Sequence, residues 1–381
     1  METAEIVVIG GGIVGCSVAY HLAAKGSRDV ALLEKDLICF GSTGKSAGGI
    51  RVQFSSEVNI RLSLEALKIL ARFQEELGVD PGFRQTGYLF LATTEDELAM
   101  FRQNVALQQR FGIPVELLGP DEIRRRMPIL RVDDLSGGTF CPWDGNASPH
   151  EVTNAFAAGA RRLGARIHEG RAVTEVAVEG GRVVAVETSA GPIACGAVVI
   201  CAGPYAGHVG AMAGVDLPVK PYRRQLFVTK PLAGLPEVLP LTIDFHRGWY
   251  FRREGEAVLF SGPKDAESSF NTHVDWEDLE AIVATAIHRV PLLAKAEVLR
   301  GWAGSYDITP DHNPLLGAVP GVDGLYVAAG FSGHGFMHGP IAGRLMAELI
   351  LDGKPSIDIS PFTPDRFARG AALPEPLTAA Q

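Results

Sequence analysis

The sequence predicts an α/β chain: a Rossmann-like domain on a parallel sheet, joined to a second, mainly antiparallel-sheet α+β domain. Three observations carry that expectation. A β-branched apolar run, Ile6-Val7-Val8-Ile9, enters Gly10-Gly11-Gly12-Ile13-Val14-Gly15 and then a helical pattern. A second strand–glycine–helix unit recurs at Gly324–Pro340. Between them the βαβ rhythm is twice interrupted by strand-rich stretches, which is how a second domain is inserted into such a sheet.

The first unit reads as follows. Ile6–Ile9 is a short continuous apolar run, as a strand buried on both faces should be. Val14, Val18, Leu22 and Ala23 share a helix face, Lys25-Gly26 ends it, and Val30–Leu33 is a second strand closing on Glu34. Gly10 permits the tight turn, Gly12 lets backbone approach a pyrophosphate, and Gly15 lets helix pack on strand. The helix N-terminus, with Ile13 and Val14, offers unpaired N–H groups and a positive dipole end to phosphates. Glu34, 24 residues after Gly10 and followed by Lys35, can accept from a ribose 2′-hydroxyl. A carboxylate there repels a 2′-phosphate, so NADP is disfavoured.

The stretch Phe40–Arg51 is polar and glycine-rich and follows the second strand at the edge where ligands sit in such folds. Ser42, Thr43 and Ser46 can donate to phosphate oxygens, while Ala47, Gly48 and Gly49 let backbone press against a flat ring. Leu62, Ala66, Ile69, Leu70, Phe73 and Leu77 mark a helix ending at Gly78; Gln85–Thr93 is strand-like; Leu98, Phe101 and Val105 mark another helix. Ser148-Pro149-His150-Glu151 is a helix start with a capping Ser and Pro at the first helical position. A hairpin, with Val173 near its start, turns at Gly180-Gly181. Ala197–Ile200 is a buried strand whose small-residue end, Ala202-Gly203, suits a second approach to the dinucleotide. Arg224–Thr229, Trp249–Arg253 and Ala257–Ser261 read as antiparallel sheet. The expected organisation is a dinucleotide domain from 1–78, 141–214 and 300–370, a substrate domain from 79–140 and 215–299, and a flexible tail over 371–381.

Composition bounds the function. Of 381 residues 44 are glycine, about 11.5% against an average near 7%, and no Gly-X-Y period explains the excess. A net charge of −9 with no basic run beyond Arg124–Arg126 disfavours nucleic acid. Five cysteines without a Cys-x-x-Cys pair argue against a disulfide framework and a zinc site, so no metal is expected. The acidic start lacks the basic region of a signal peptide, and no apolar stretch nears the 18 residues of a membrane span. A cytoplasmic location is the expectation.

Together Gly10–Gly15 with Glu34, the Ser42–Gly49 segment, Ala202-Gly203, Thr309-Pro310-Asp311 and Gly330–Phe336 resemble the FAD-dependent D-amino-acid oxidase family. The branch looks like sarcosine oxidase β subunits, glycine oxidase and dye-linked L-proline dehydrogenases. The resemblance implies FAD, with Gly330, Gly333, His334, Gly335, Phe336 and Met337 at the flavin. It also implies hydride transfer from the carbon next to nitrogen to flavin N5, giving an imine. Where glycine oxidases have a carboxylate-binding Arg, Trp302-Ala303-Gly304 has none; no flavin-linking Cys stands near Gly304; Lys45 replaces a linking His; Met337 stands where a Lys would. Non-covalent FAD is therefore expected. Arg51 becomes the candidate carboxylate clamp, Tyr250 resembles the family's substrate-facing tyrosine, Tyr306 is the aromatic wall, and His334 and His338 are the groups that tune the flavin or the amine's protonation, His334 by positioning. No lysine in Ala257–Phe260 leans the reading to a dehydrogenase, with oxygen, a dye-like acceptor or a partner subunit taking the electrons and an oligomer possible. Alternatives are an FAD-dependent 2-hydroxy-acid dehydrogenase and a non-catalytic flavoprotein assembly factor.

Overall fold

The computed structural model describes residues 2–379. The strand Glu2–Ile9 lies at the centre of the first sheet, with Val30–Leu33 and Arg166–His168 to one side and Ile193–Ile200 and Leu325–Ala329 to the other, all parallel. Leu315–Ala318 closes one edge antiparallel, and the hairpin Val173–Glu179/Arg182–Thr188 attaches to Ile193–Ile200. The helix Ile13–Ala24 is buried at nearly every position from Ile13 to Ala19, because it runs between the sheet and two other helices, Pro149–Arg162 and Gly335–Asp352. A helix covered on several sides needs no polar face, so the single stripe expected from the sequence understates its burial. Gly339 and Gly343, one turn apart, bring Gly335–Asp352 against Ile13 and Ser17, where an added Cβ would lie 2.8 Å from Ile13 and 2.2 Å from Ser17.

The second sheet runs Val298–Ile308, Lys220–Thr229, Ala257–Ser261, Trp249–Glu254, Leu241–Asp244, Tyr88–Ala92, Gly137–Cys141, Glu116–Leu118. It is antiparallel except where Leu241–Asp244 pairs parallel with Tyr88–Ala92. That pairing joins the two sequence excursions into one layer. The strand Val298–Ile308 pairs along its length with Lys220–Thr229, so it belongs to this sheet. A boundary at 299/300 put most of it with the first. Its alternating polar and small residues hid its partner.

Two more expectations are corrected. The helix read over 62–77 breaks at Arg72 into Glu57–Ala71 and Phe73–Leu77. The segment from 371 onward is not a loose tail through Thr378: Glu375 is fully buried and Leu377 and Thr378 nearly so. Composition rich in Ala and Pro gave no sign of this, because what holds the segment is side chains far away in sequence. Ala380 and Gln381 lie outside the described residues. Five free cysteines are all buried, and no group of His, Cys, Asp or Glu among the described residues could hold a metal.

Candidate active site

The nucleotide end is built by the first turn. Gly10 has φ +114°, and a Cβ on it would lie 2.4 Å from the Cys201 carbonyl oxygen and 3.2 Å from Ala202 Cα. A Cβ on Gly15 would lie 1.9 Å from the Gly10 oxygen. Both glycines are thus required by the fold itself. Gly12 is different: its added Cβ would meet only Thr43 Oγ1, at 3.1 Å. The space in front of Gly12 is what a pyrophosphate would use. The helix Ile13–Ala24 starts with no side-chain cap and no acidic residue in its first turn, leaving its dipole end for an anion. Glu34 accepts from Gly11 N at 2.7 Å and Asp36 N at 2.8 Å, one bond per oxygen. Each oxygen keeps a lone pair for a ribose hydroxyl.

The loop after the second strand divides its three hydroxyls. Thr43 Oγ1 accepts from Ile13 N at 3.2 Å, Ser42 Oγ donates to the Ser305 carbonyl at 2.6 Å, and Ser46 Oγ is buried without a partner. So Ser42 ties the loop to the second sheet, whereas Ser46 is an orphan that a bound phosphate or flavin would satisfy. Arg252 Nε donates to Ala47 O at 2.6 Å, and Gly49 pairs with Asn146. Lys35 forms an ion pair with Asp36 and sits 5.1 Å from the Tyr205 ring. Val173 opens its strand in the first sheet.

The Gly330–Gly335 turn, expected at the flavin, is held from behind by Asp307, which no sequence motif marks. Its carboxylate accepts from Gly330 N at 2.8 Å and Phe331 N at 3.1 Å, and its carbonyl from Ser332 N at 3.0 Å. Removal of that carboxyl from water pushes its pKa up to about 6. The turn delivers Gly330 and Gly333 under Thr309 and Tyr306, and then the helix Gly335–Asp352, again without a side-chain cap. Phe336 and Met337 sit buried in its first turn. Two helix starts whose own N-cap residues give no side-chain bond, open Gly12 and orphaned Ser46 make the residues present fit an extended, phosphate-bearing flavin.

A second group of side chains gathers around Arg51, the residue the sequence offers as a carboxylate clamp. Its guanidinium lies 4.0 Å from the Phe54 ring and 5.4 Å from Phe90; it donates to Gln53 O and, at 3.1 Å, to Thr378 Oγ1. Its Nε has no partner. Phe54 packs against His334 (5.5 Å) and His338 (4.9 Å), which lie edge to face 5.0 Å apart. Neither ring nitrogen of His334 has a partner; His338 shares Nε2 with Ser63 Oγ at 2.7 Å. Burial, with Arg51 nearby, holds His338 down at about 3 and His334 well below the usual imidazole range, so both are neutral near pH 7. His338 is thus no helix-surface residue but a buried link to the helix Glu57–Ala71. Asp144, fully buried, accepts from Val52 N and Gln53 Nε2, and burial raises it to about 7.

Tyr250 and Tyr306 both face Arg224, whose guanidinium is 4.6 Å and 5.5 Å from their rings. Tyr306 also lies on Gly333, where an added Cβ would be 2.6 Å from its ring. Arg224, Asp144 and the 375–378 segment carry no motif in the sequence. For Arg224 a signal existed: it alternates with Leu226 and Val228 on one strand face, an odd place for an isolated charge.

Residues 5–349 match the family model described as FAD dependent oxidoreductase. The chain belongs to that family. Its cofactor is FAD. The chain is 32% identical over 390 residues to mitochondrial dimethylglycine dehydrogenase of Rattus norvegicus, covering 97% of this chain and 45% of that protein. Against mitochondrial sarcosine dehydrogenase of Mus musculus it is 33% identical, covering 96% of this chain and 42% of that protein. It spans less than half the length of these curated relatives. Among solved structures, L-proline dehydrogenase from P. horikoshii superposes with a TM-score of 0.91 at 36% identity, covering 97% of this chain and 99% of that one. Glycine oxidase from Geobacillus kaustophilus gives 0.86 at 28%, covering 96% and 99%. No helix among the described residues is long and apolar enough to cross a membrane.

Proposed function

We propose that this FAD-dependent oxidoreductase oxidises a secondary amine or amino acid, sarcosine-, proline- or glycine-like, to the imine. The observation that carries the reading is Arg51: a buried guanidinium without a carboxylate partner, beside the flavin turn's two histidines. A planar fork of donors in that position matches a substrate carboxylate. The names of the relatives, dehydrogenases and oxidases of amino acids and methylamines, point the same way.

The cofactor supplies the hydride acceptor at N5. The chain supplies the rest. Arg51 fixes the carboxylate, and Tyr250 and Tyr306 wall the cavity and keep water out. His334, uncharged and with open ring nitrogens, accepts a hydrogen bond from the substrate nitrogen and adds no positive charge to repel a developing iminium. The amine must be neutral for hydride to leave, and Arg51's charge nearby favours that form. The flavin is held non-covalently: no cysteine lies near Gly304, which is packed on Lys45. Flavin retained on the acid-denatured polypeptide would contradict this.

A hydroxy acid is the second reading, favoured by the same neutral, unpartnered His334, which could take an alcohol proton. Anaerobic bleaching of the flavin decides between them, with sarcosine, proline, glycine, D-alanine and 2-hydroxyglutarate added in turn. Bleaching by an amine supports the proposal, and bleaching by the hydroxy acid alone overturns it. Bleaching by none favours a non-catalytic assembly role. Readmitting oxygen and measuring peroxide then separates oxidase from dehydrogenase, the latter being expected to need a dye or partner subunit.

A further inference from the structure

Among the described residues seven arginines are buried, and five of them have a carboxylate. Arg171 pairs with Glu2, Arg223 with Asp265 and Asp278, Arg252 with Glu254, Arg289 with Asp244 and Asp134, and Arg366 with Asp311. This is the usual rule, since a guanidinium taken out of water needs a counter-charge. Arg51 and Arg224 break it. Both are 1% exposed, and neither has a carboxylate oxygen within 4 Å. Both have Tyr306 for a neighbour: its ring is 5.5 Å from the Arg224 guanidinium, and it is among the groups whose electrostatics reach Arg51.

Arg224 is fixed on one side only. Its Nε donates to Ser261 Oγ at 3.0 Å and its Nη2 to Gly248 O at 2.8 Å, while Nη1 is buried with no partner. The rings of Tyr250 and Tyr306 hold the guanidinium, and Tyr306 in turn lies on Gly333 of the flavin turn. Nearby charge adds to the demand for an anion: Lys264 is half-buried and feels Arg224, which helps to lower its pKa after the main effect of burial. The carboxylates in the neighbourhood are spoken for. Glu375 accepts from Ser55 and Asn59, and Asp144 accepts from Val52 N and Gln53 Nε2, with burial raising its pKa to about 7.

We propose that these two open cations read two carboxylates, so that the substrate is an amine carrying two acid groups, one held by Arg51 and the other by Arg224. The inference rests on the amine reading above and sharpens it to amino diacids: N-alkylated aspartate or glutamate, or an amine bearing two carboxymethyl groups. Tyr250 and Tyr306 then keep Arg224 flat and preorganised, which limits the ordering cost of binding.

The test uses the FAD-loaded protein and has two parts. Perturbation of the flavin spectrum measures binding of glutarate and butyrate, which carry no amine and cannot be oxidised. The wild type should bind glutarate at least about tenfold more tightly than butyrate, as one added charge-assisted pair requires. Arg224→Gln should weaken glutarate more than butyrate and collapse that ratio, with Arg224→Lys recovering part of it. Equal binding of the two acids by the wild type overturns the proposal without any variant. So does an Arg224→Gln variant that weakens both acids equally, or that alters FAD retention alone, since either assigns Arg224 to packing or to the cofactor. The second part compares anaerobic bleaching by sarcosine, iminodiacetate and N-methylglutamate, with a diacid expected to give the highest kcat/KM. Faster bleaching by sarcosine sinks the diacid assignment and leaves the amine reading intact. No bleaching by any amine, with the glutarate preference present and lost in Arg224→Gln, sinks the amine reading and leaves the two-anion site standing.

Discussion

Arg51 is buried with its charge only partly answered, a state that weakens a fold and suits a ligand. Arg51→Met is therefore expected to raise KM for a carboxylate-bearing substrate by roughly 10- to 100-fold, the worth of a charge-assisted pair. Its melting temperature should hold or rise, because the unpaired charge goes with it; steady-state kinetics and a thermal melt check the two halves. Asp144 gives a pH prediction. Its folded pKa of about 7 lies above the unfolded value near 3.8, so from pH 4 to 7 the folded state holds a proton that the unfolded state has lost. Stability from this group accordingly falls as pH rises through that window. Asp144→Asn removes the effect, so the stability difference, variant minus wild type, should climb between pH 4 and 7 and then level off in urea titrations. His334 and His338 run the other way. Their folded pKa values lie below the unfolded value near 6.5, so they withdraw stability as pH falls beneath it. Arg51, Tyr250, Tyr306 and His334 were legible as residue types in a motif context. Arg224 reads in the sequence only as one more strand residue, because its missing partner cannot be seen in a string.

At the scale of the element, one motif holds glycines with different jobs. Gly15 is required by helix and strand whatever is bound, since its Cβ would lie 1.9 Å from a backbone oxygen. Gly12 meets only a movable threonine hydroxyl. Gly12→Ala is therefore expected to leave the apoprotein's melting temperature nearly unchanged while weakening FAD binding, read by flavin retention on gel filtration. Gly15→Ala should lower the apoprotein's melting temperature outright. Equal effects of the two would show that the glycines are not divided in this way. The later glycines divide likewise: Gly333 accommodates an aromatic ring, whereas Gly339, which a glycine-rich run suggests is near the ligand, packs a helix against Ile13. Strands, helix caps and the hairpin were legible because period and capping chemistry are local. The break at Arg72 and the all-round burial of Ile13–Ala24 were not, since neighbours impose them.

Across the whole molecule, the site is closed by parts distant in sequence. Glu375 accepts from Ser55 N at 3.1 Å, from Ser55 Oγ and from Asn59 Nδ2 at 3.0 Å, and Asn59 also donates to Asn313 Oδ1 at 2.7 Å. Leu377 shares an apolar cluster with Tyr88, Phe90 and Tyr250 of the second sheet. Glu375→Ala leaves buried donors without an acceptor and should lower unfolding free energy by about 1–3 kcal/mol. That would appear as a lower urea midpoint at unchanged m-value. An unchanged midpoint would mean that the segment is not held as described. The dinucleotide fold and most strands and helices are legible in the string alone, because they follow from period, glycine placement and chemistry within a few dozen residues; the FAD family is legible because its short motifs recur in order from Gly10 to Phe336. That Val298–Ile308 joins the second sheet, that Thr378 accepts from Arg51, and that Arg51 and Arg224 stand buried without carboxylates emerge only once the chain is folded. Each depends on which distant groups meet, or fail to meet, once water is excluded.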